Sequence, residues 1–221
     1  MIRATGTLPL PYLATMNTLP LPKAVVFDFG GVMTLSDRPH EAYALAREHN
    51  IAESILTEGF SRYRKLMDGG FITPAELYGV LLADAGIDVA PDLLQALAYA
   101  DLKSFCTPNE RTRAWMAKLR GEGFKIGILT NMPTQMASLF RRIFAGFVEC
   151  ADAMVVSGEV KMFKPQPCIF RLIRDKLHVE DRDILFVDDA AENCEAARSL
   201  GWRTIQFRSN EQTETEFDSW R

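Results

Sequence analysis

The stretch Lys23-Ala24-Val25-Val26-Phe27-Asp28-Phe29-Gly30-Gly31-Val32-Met33-Thr34 decides the fold. Its first half is apolar, rich in β-branched and aromatic residues, and it stops on an aspartate followed closely by two glycines. That pattern reads as a short strand buried on both faces, then a tight turn. Such strands belong to parallel sheets covered by helices above and below. Asp28 then stands at the strand's carboxyl end, the edge where open α/β sheets bind ligands.

Downstream, the texture changes at Asp37 to Pro39. Residues 40–105 carry helical patterning and no convincing strand, with helices expected over 41–50, 52–67, 74–85 and 91–104. Thr73-Pro74-Ala75-Glu76 is a helix start, with an N-cap threonine, proline at the first position and glutamate at the third. From 107 onward, strand and helix alternate. Strands are expected over 125–130, 153–157, 183–187 and 203–207. Helices are expected over 109–120 (capped by Asn109), 134–144, 165–177 (begun by proline) and 191–200. Alternation of this kind specifies an α/β fold, a doubly wound parallel sheet, and the helical stretch interrupts it as an inserted cap. The expected division is a core of residues 23–36 and 107–208 and a cap of 37–106. A loose, proline-broken N-terminal segment of 1–22 and a loose polar C-terminal tail of 209–221, with Trp220 as its one docking candidate, complete it.

Composition narrows the function classes. The chain has 221 residues, 48% of them apolar, and a net charge of −4 with no basic block, which suits a globular core and opposes nucleic-acid binding. Cys106, Cys150, Cys168 and Cys194 are scattered, which fits no zinc or disulfide framework and suits a reducing cytoplasm. No apolar run approaches the ~20 residues needed to span a bilayer. No nucleic-acid or membrane partner is expected, and the chain is expected to act as a monomer or homodimer.

Four polar clusters fall at strand ends or in loops: Asp28, Thr130-Asn131, Lys164 and Asp188-Asp189. In a parallel sheet these ends share one edge. An aspartate there can attack phosphorus and form an acyl phosphate. Lys164 can balance the charge of nucleophile and phosphate, and Thr130 and Asn131 can hold phosphate oxygens. Asp28, Asp188 and Asp189 offer hard oxygen ligands for Mg²⁺. Phe60, Tyr63 and Met67 recur at helical spacing, as core residues do. A cap must nevertheless face the site, and Tyr63 and Arg64 are the candidate substrate contacts.

With these clusters in place, the chain resembles the haloacid dehalogenase superfamily of phosphatases from about Lys23 to Phe207. The four motifs appear in family order: Asp28-Phe29-Gly30-Gly31-Val32, Ile126 to Thr130, Lys164-Pro165, and Phe186-Val187-Asp188-Asp189. The helical insert resembles the family's C1 cap. The first motif most resembles the branch with the soluble epoxide hydrolase phosphatase domain and bacterial sugar-phosphate phosphatases. The resemblance implies a Mg²⁺-dependent phosphatase of small phosphorylated metabolites, sugar phosphates first among them, with the Gly30 backbone carbonyl as a further metal ligand. It also implies an acid–base carboxylate at position 30, and Gly30 departs from that. General acid–base catalysis is worth roughly 10²–10⁴-fold. Either the leaving group needs little acid help, as that of an acyl or anomeric phosphate does, or Asp37 or a cap residue supplies the proton. The alternatives are a non-catalytic or weakly active protein of the same fold and, less favoured, a 2-haloacid dehalogenase. The acidic pair Asp188-Asp189 opposes the latter. A phosphoacceptor signalling domain is opposed by motif order, since its acidic pair precedes the phosphoacceptor strand.

Overall fold

A computed structural model describes residues 20–221. The expectation for residues 1–19 lies outside the described residues. The core is a five-stranded, all-parallel sheet of order β3-β2-β1-β4-β5. The strands are β1 (Ala24–Phe27), β2 (Lys125–Thr130), β3 (Ala153–Val156), β4 (Ile184–Asp188) and β5 (Arg203–Gln206). The opening stretch is thus the central strand, and every residue of β1 is buried.

Strand alternation divides the core in two. Val25, Phe27, Ile126, Ile128 and Val187 face one side. There they meet α5 (Glu110–Gly121) and α6 (Thr134–Ile143) through Trp115, Met116 and Phe140. Val26, Leu129, Ile184 and Phe186 face the other side. They meet Ile169, Phe170 and Ile173 of α9 (Pro167–Leu177) and Ala197 of α10 (Ala191–Ser199). The expected helix over 165–177 therefore starts at Pro167, the second of its two prolines. Two short helices, α7 (Ala145–Val148) and α8 (Ser157–Val160), were not anticipated; each is too short to show a period.

Four helices form the cap: α1 (His40–Glu48), α2 (Glu53–Asp68), α3 (Pro74–Asp84) and α4 (Pro91–Ser104). They enclose a separate apolar cluster that includes Leu56, Met67, Leu77, Tyr78 and Leu97. The Thr73–Glu76 capping box forms as read, with Glu76 N donating to Thr73 Oγ1 at 3.2 Å and Thr73 N donating to Glu76 Oε2 at 2.7 Å. The two crossings into the cap are stitched together: Leu35 N donates to Thr107 O at 3.0 Å, and the Asn109 amide donates to Val32 O at 3.1 Å. Asn109 also caps α5, accepting from Thr112 N.

The C-terminal stretch corrects an expectation. Residues 209–221 are not a loose tail; Asn210–Asp218 form α11, capped by Ser209, which accepts from Gln212 N at 3.2 Å. Phe217 is fully buried edge-on against Trp115, ring centroids 5.6 Å apart, and Trp220 packs on the same cluster. The polar composition hid a helix anchored mainly by Phe217 and Trp220. No described helix is long and apolar enough to cross a membrane.

Candidate active site

Chain direction builds the site. All five strands run parallel, so β1, β2 and β4 deliver Asp28, Asn131 and Asp188-Asp189 to one edge. Asp28 is held in line with β4 by its own N–H, which donates to Val187 O at 2.9 Å. The following loop closes tightly, with Met33 N donating to Phe29 O at 2.8 Å and Gly31 N donating to Thr34 Oγ1 at 3.0 Å. Gly31 has φ +69°, and a Cβ there would lie 2.8 Å from Asp189 Oδ2. Only glycine fits that left-handed backbone so near a carboxylate.

Lys164 reaches this edge from the loop between α8 and α9. Its ammonium sits 2.6 Å from Asp28 Oδ1 and 2.7 Å from Asp188 Oδ2, with its side chain 1% exposed. Asn131 fixes the lysine's backbone from both sides: Lys164 N donates to Asn131 Oδ1 at 2.8 Å, and Asn131 Nδ2 donates to Lys164 O at 3.0 Å. Asn193 donates to both carboxylate oxygens of Asp188 at 3.1 Å. Asp188 also accepts a backbone N–H at the start of α10, from Ala190 at 2.8 Å.

Three carboxylates therefore crowd one lysine. Oxygens of Asp28, Asp188 and Asp189 lie within 4.8 Å of one another. Burial pushes the Asp28 carboxyl up to about 8, with Asp188 and Asp189 adding to the rise and Lys164 opposing it. Burial also lifts Asp189 to about 6, helped by Asp188 and Asp37. For Lys164, burial acts against the charge, but Asp188 and Asp28 outweigh it and raise its pKa. Asn193 Oδ1 is buried without a hydrogen-bond partner among the described residues, and Asn193 borders the same cavity. Hard, anionic oxygens in excess of positive charge, beside an unmatched amide oxygen, fit a divalent cation such as Mg²⁺.

The open cavity above these groups measures about 160 Å³, and Asp28, Gly30, Asn131, Lys164 and Asp189 form its floor. Thr130 and Asp188 are buried behind that floor and do not border the cavity. Asp37 does border it. The cap supplies Arg64, Leu102 and Phe105 as walls, opposite Met132 and Met136 of the core. Of the two candidate substrate contacts, Arg64 reaches the cavity. Tyr63 does not; the turn of α2 directs it into the cap's apolar cluster.

Arg64 is itself tied down. Its Nη1 donates to both oxygens of Asp101 at 2.8 and 3.2 Å, and its Nε lies 3.4 Å from Asp68 Oδ1. Tyr78 donates its hydroxyl to Asp101 Oδ2 at 3.1 Å. Burial raises the Asp68 carboxyl to about 6 against the pull of Arg64. Asp68 sits four residues from Arg64 and was legible as a helical partner. Asp101, Leu102 and Phe105 were not, because only tertiary packing sets them beside α2.

Residues 22–201 match the haloacid dehalogenase-like hydrolase family, and the chain belongs to that family. Bifunctional epoxide hydrolase 2 of Rattus norvegicus is 24% identical over 84% of this chain. The match covers only 36% of that protein, so the chain spans about a third of its length. A phosphatase of Mycobacterium tuberculosis is 26% identical over 86% of this chain and 89% of its own. Among solved structures, a HAD family enzyme of Bacteroides thetaiotaomicron in complex with magnesium and inorganic phosphate gives a TM-score of 0.65 at 24% identity. It covers 85% of this chain and 94% of that one.

Proposed function

We propose that the protein is a Mg²⁺-dependent phosphatase of small phosphorylated metabolites, acting through a phospho-Asp28 intermediate. One observation carries the reading: a buried ammonium 2.6 Å from Asp28 and 2.7 Å from Asp188, within a cluster of three carboxylates at the sheet edge. A carboxylate so placed is a nucleophile whose charge is balanced on approach to an anionic phosphate.

Asp28 forms a bond to phosphorus as the ester P–O bond breaks, and the electron pair leaves on the alcohol oxygen. Water then attacks phosphorus, the P–O bond to Asp28 breaks, and the water's proton passes to solvent as phosphate departs. Lys164 holds Asp28 in place and offsets charge on the phosphoryl oxygens. Asn131 has its amide committed to Lys164, so its contribution to phosphate falls to the backbone N–H, and Thr130, behind the cavity floor, is left as support for that segment. Asp28, Asp188 and Asp189, with the Gly30 carbonyl, would hold Mg²⁺, which neutralises phosphoryl charge when bound.

The M. tuberculosis relative is named a phosphatase, and the B. thetaiotaomicron enzyme was crystallised with magnesium and inorganic phosphate. An L-2-haloacid dehalogenase of Xanthobacter autotrophicus shares the fold at a TM-score of 0.63, so the preference for phosphoryl chemistry rests on the phosphatase relative and on the cluster of three carboxylates, which dehalogenation does not call for. The test is turnover of phosphate monoesters with Mg²⁺, together with acid-quench trapping of phosphoprotein. Asp28→Asn is expected to abolish both. A protein that binds phosphate esters without releasing phosphate would establish the non-catalytic alternative, and full turnover by Asp28→Asn would remove Asp28 from the mechanism.

A further inference from the structure

We propose that the substrates are aryl phosphate monoesters with a single-ring leaving group; this rests on the phosphatase reading. It departs from the sugar phosphates that the sequence suggested. Two features of the cavity converge on it.

The first is Gly30. A Cβ built there meets one neighbour within 4 Å, Phe105 Cε1 at 3.9 Å. The space at Gly30 therefore opens onto an aromatic ring. Asp37 borders the cavity beside Asp189: a Cβ built on Gly31 would fall 3.1 Å from Asp37 Cβ and 2.8 Å from Asp189 Oδ2, whereas Asp37 is not among the neighbours of a Cβ built on Gly30. A leaving oxygen near Gly30 departs as the oxyanion. A phenol ionises near ~10, whereas an unassisted alkyl oxygen is nearer the ~15.7 of water. Without an acid, the phenolic oxygen is the far better leaving group.

The second is the wall. Phe105, Leu102, Met132 and Met136 give the wall apolar surface, while the polar lining residues Asn131, Asn193 and Asp37 belong to the lysine–carboxylate cluster through Lys164, Asp188 and Asp189. The cap's Arg64 is unsuited to a second anionic group, because Asp101 and Asp68 already pair with it. Its guanidinium carbon lies 5.9 Å from the Phe105 ring centroid, so it stiffens the ring that faces Gly30. A cavity of about 160 Å³, phosphate space included, is compact.

The test is a leaving-group series on the wild-type chain with Mg²⁺: substituted phenyl phosphates, phenyl phosphate, ethyl phosphate and glucose 6-phosphate. A kcat/KM falling steeply with leaving-group pKa is expected, with phenyl phosphate at least about 100-fold above glucose 6-phosphate, the lower end of what an absent acid costs. Gly30→Asp is expected to raise turnover of ethyl phosphate by about 10²–10⁴-fold and to flatten the series. Phe105→Ala is expected to raise KM for phenyl phosphate more than for ethyl phosphate. If Gly30→Asp fails to fold, the wild-type series still decides. A flat series, or glucose 6-phosphate turned over as well as phenyl phosphate, would overturn the inference alone. No Asp28-dependent turnover of any ester would overturn the phosphatase reading and the inference with it.

Discussion

Replacing Arg64 with methionine isolates the electrostatics of the cap. The guanidinium bonds both oxygens of Asp101 at 2.8 and 3.2 Å, and the Asp101 side chain is fully buried. At 2.8 Å and an effective dielectric near 20, Coulomb attraction is about 6 kcal/mol. Desolvation opposes much of that in the intact pair. Removing one partner leaves a buried, uncompensated carboxylate, which costs about 3–5 kcal/mol. Asp68 relieves itself more easily, because its pKa of about 6 lets it take a proton. For a chain of this length, such a loss lowers Tm by roughly 6–20 °C. Urea and thermal unfolding of Arg64→Met, Asp101→Leu and the double variant form the assay. Each single change is expected to destabilise strongly, and the double variant is expected to recover much of the loss. Single shifts below about 1 kcal/mol that simply add would show that the pair is not a buried charge couple, and the neutral-wall argument would fall with it.

Other outcomes follow from the core and the metal cluster. Gly31→Ala puts a methyl at φ +69°, 2.8 Å from Asp189 Oδ2, so it is expected to cost about 1–2 kcal/mol and to raise the Mg²⁺ concentration for half-maximal activity; an unchanged requirement would contradict the close approach. Asp28 and Asp189 are raised to about 8 and about 6, above the ~3.9 of an unfolded aspartate. Their folded forms hold protons longer, so their stabilising contribution is full below the unfolded value and is lost as pH rises through 6 and 8. Mg²⁺ offsets that loss, so its thermal shift is expected to be larger at pH 8 than at pH 5; equal shifts would refute the crowding. Phe217→Ala is expected to cost about 3–5 kcal/mol by equilibrium unfolding, whereas a dispensable tail would show no loss.

The sequence by itself determined the parallel sheet, the inserted helical cap and the placement of Asp28, Lys164 and Asp188-Asp189 at one edge. Strand burial is written in runs such as Ala24 to Phe27, and a parallel sheet puts all its strand ends on the same side. Thr73 and Asn109 announced their helices because capping is local chemistry. Tertiary structure alone decided what faces what. It turned Tyr63 into the cap core while Arg64, its neighbour on α2, reached the cavity, since one helical step rotates a side chain by about 100°. It paired Arg64 with Asp101 across 37 positions, a distance no periodicity encodes. It also gave Gly30 its meaning, because whether a missing side chain leaves a proton donor's place or an apolar opening depends on the ring of Phe105, which a separate segment of chain brings there.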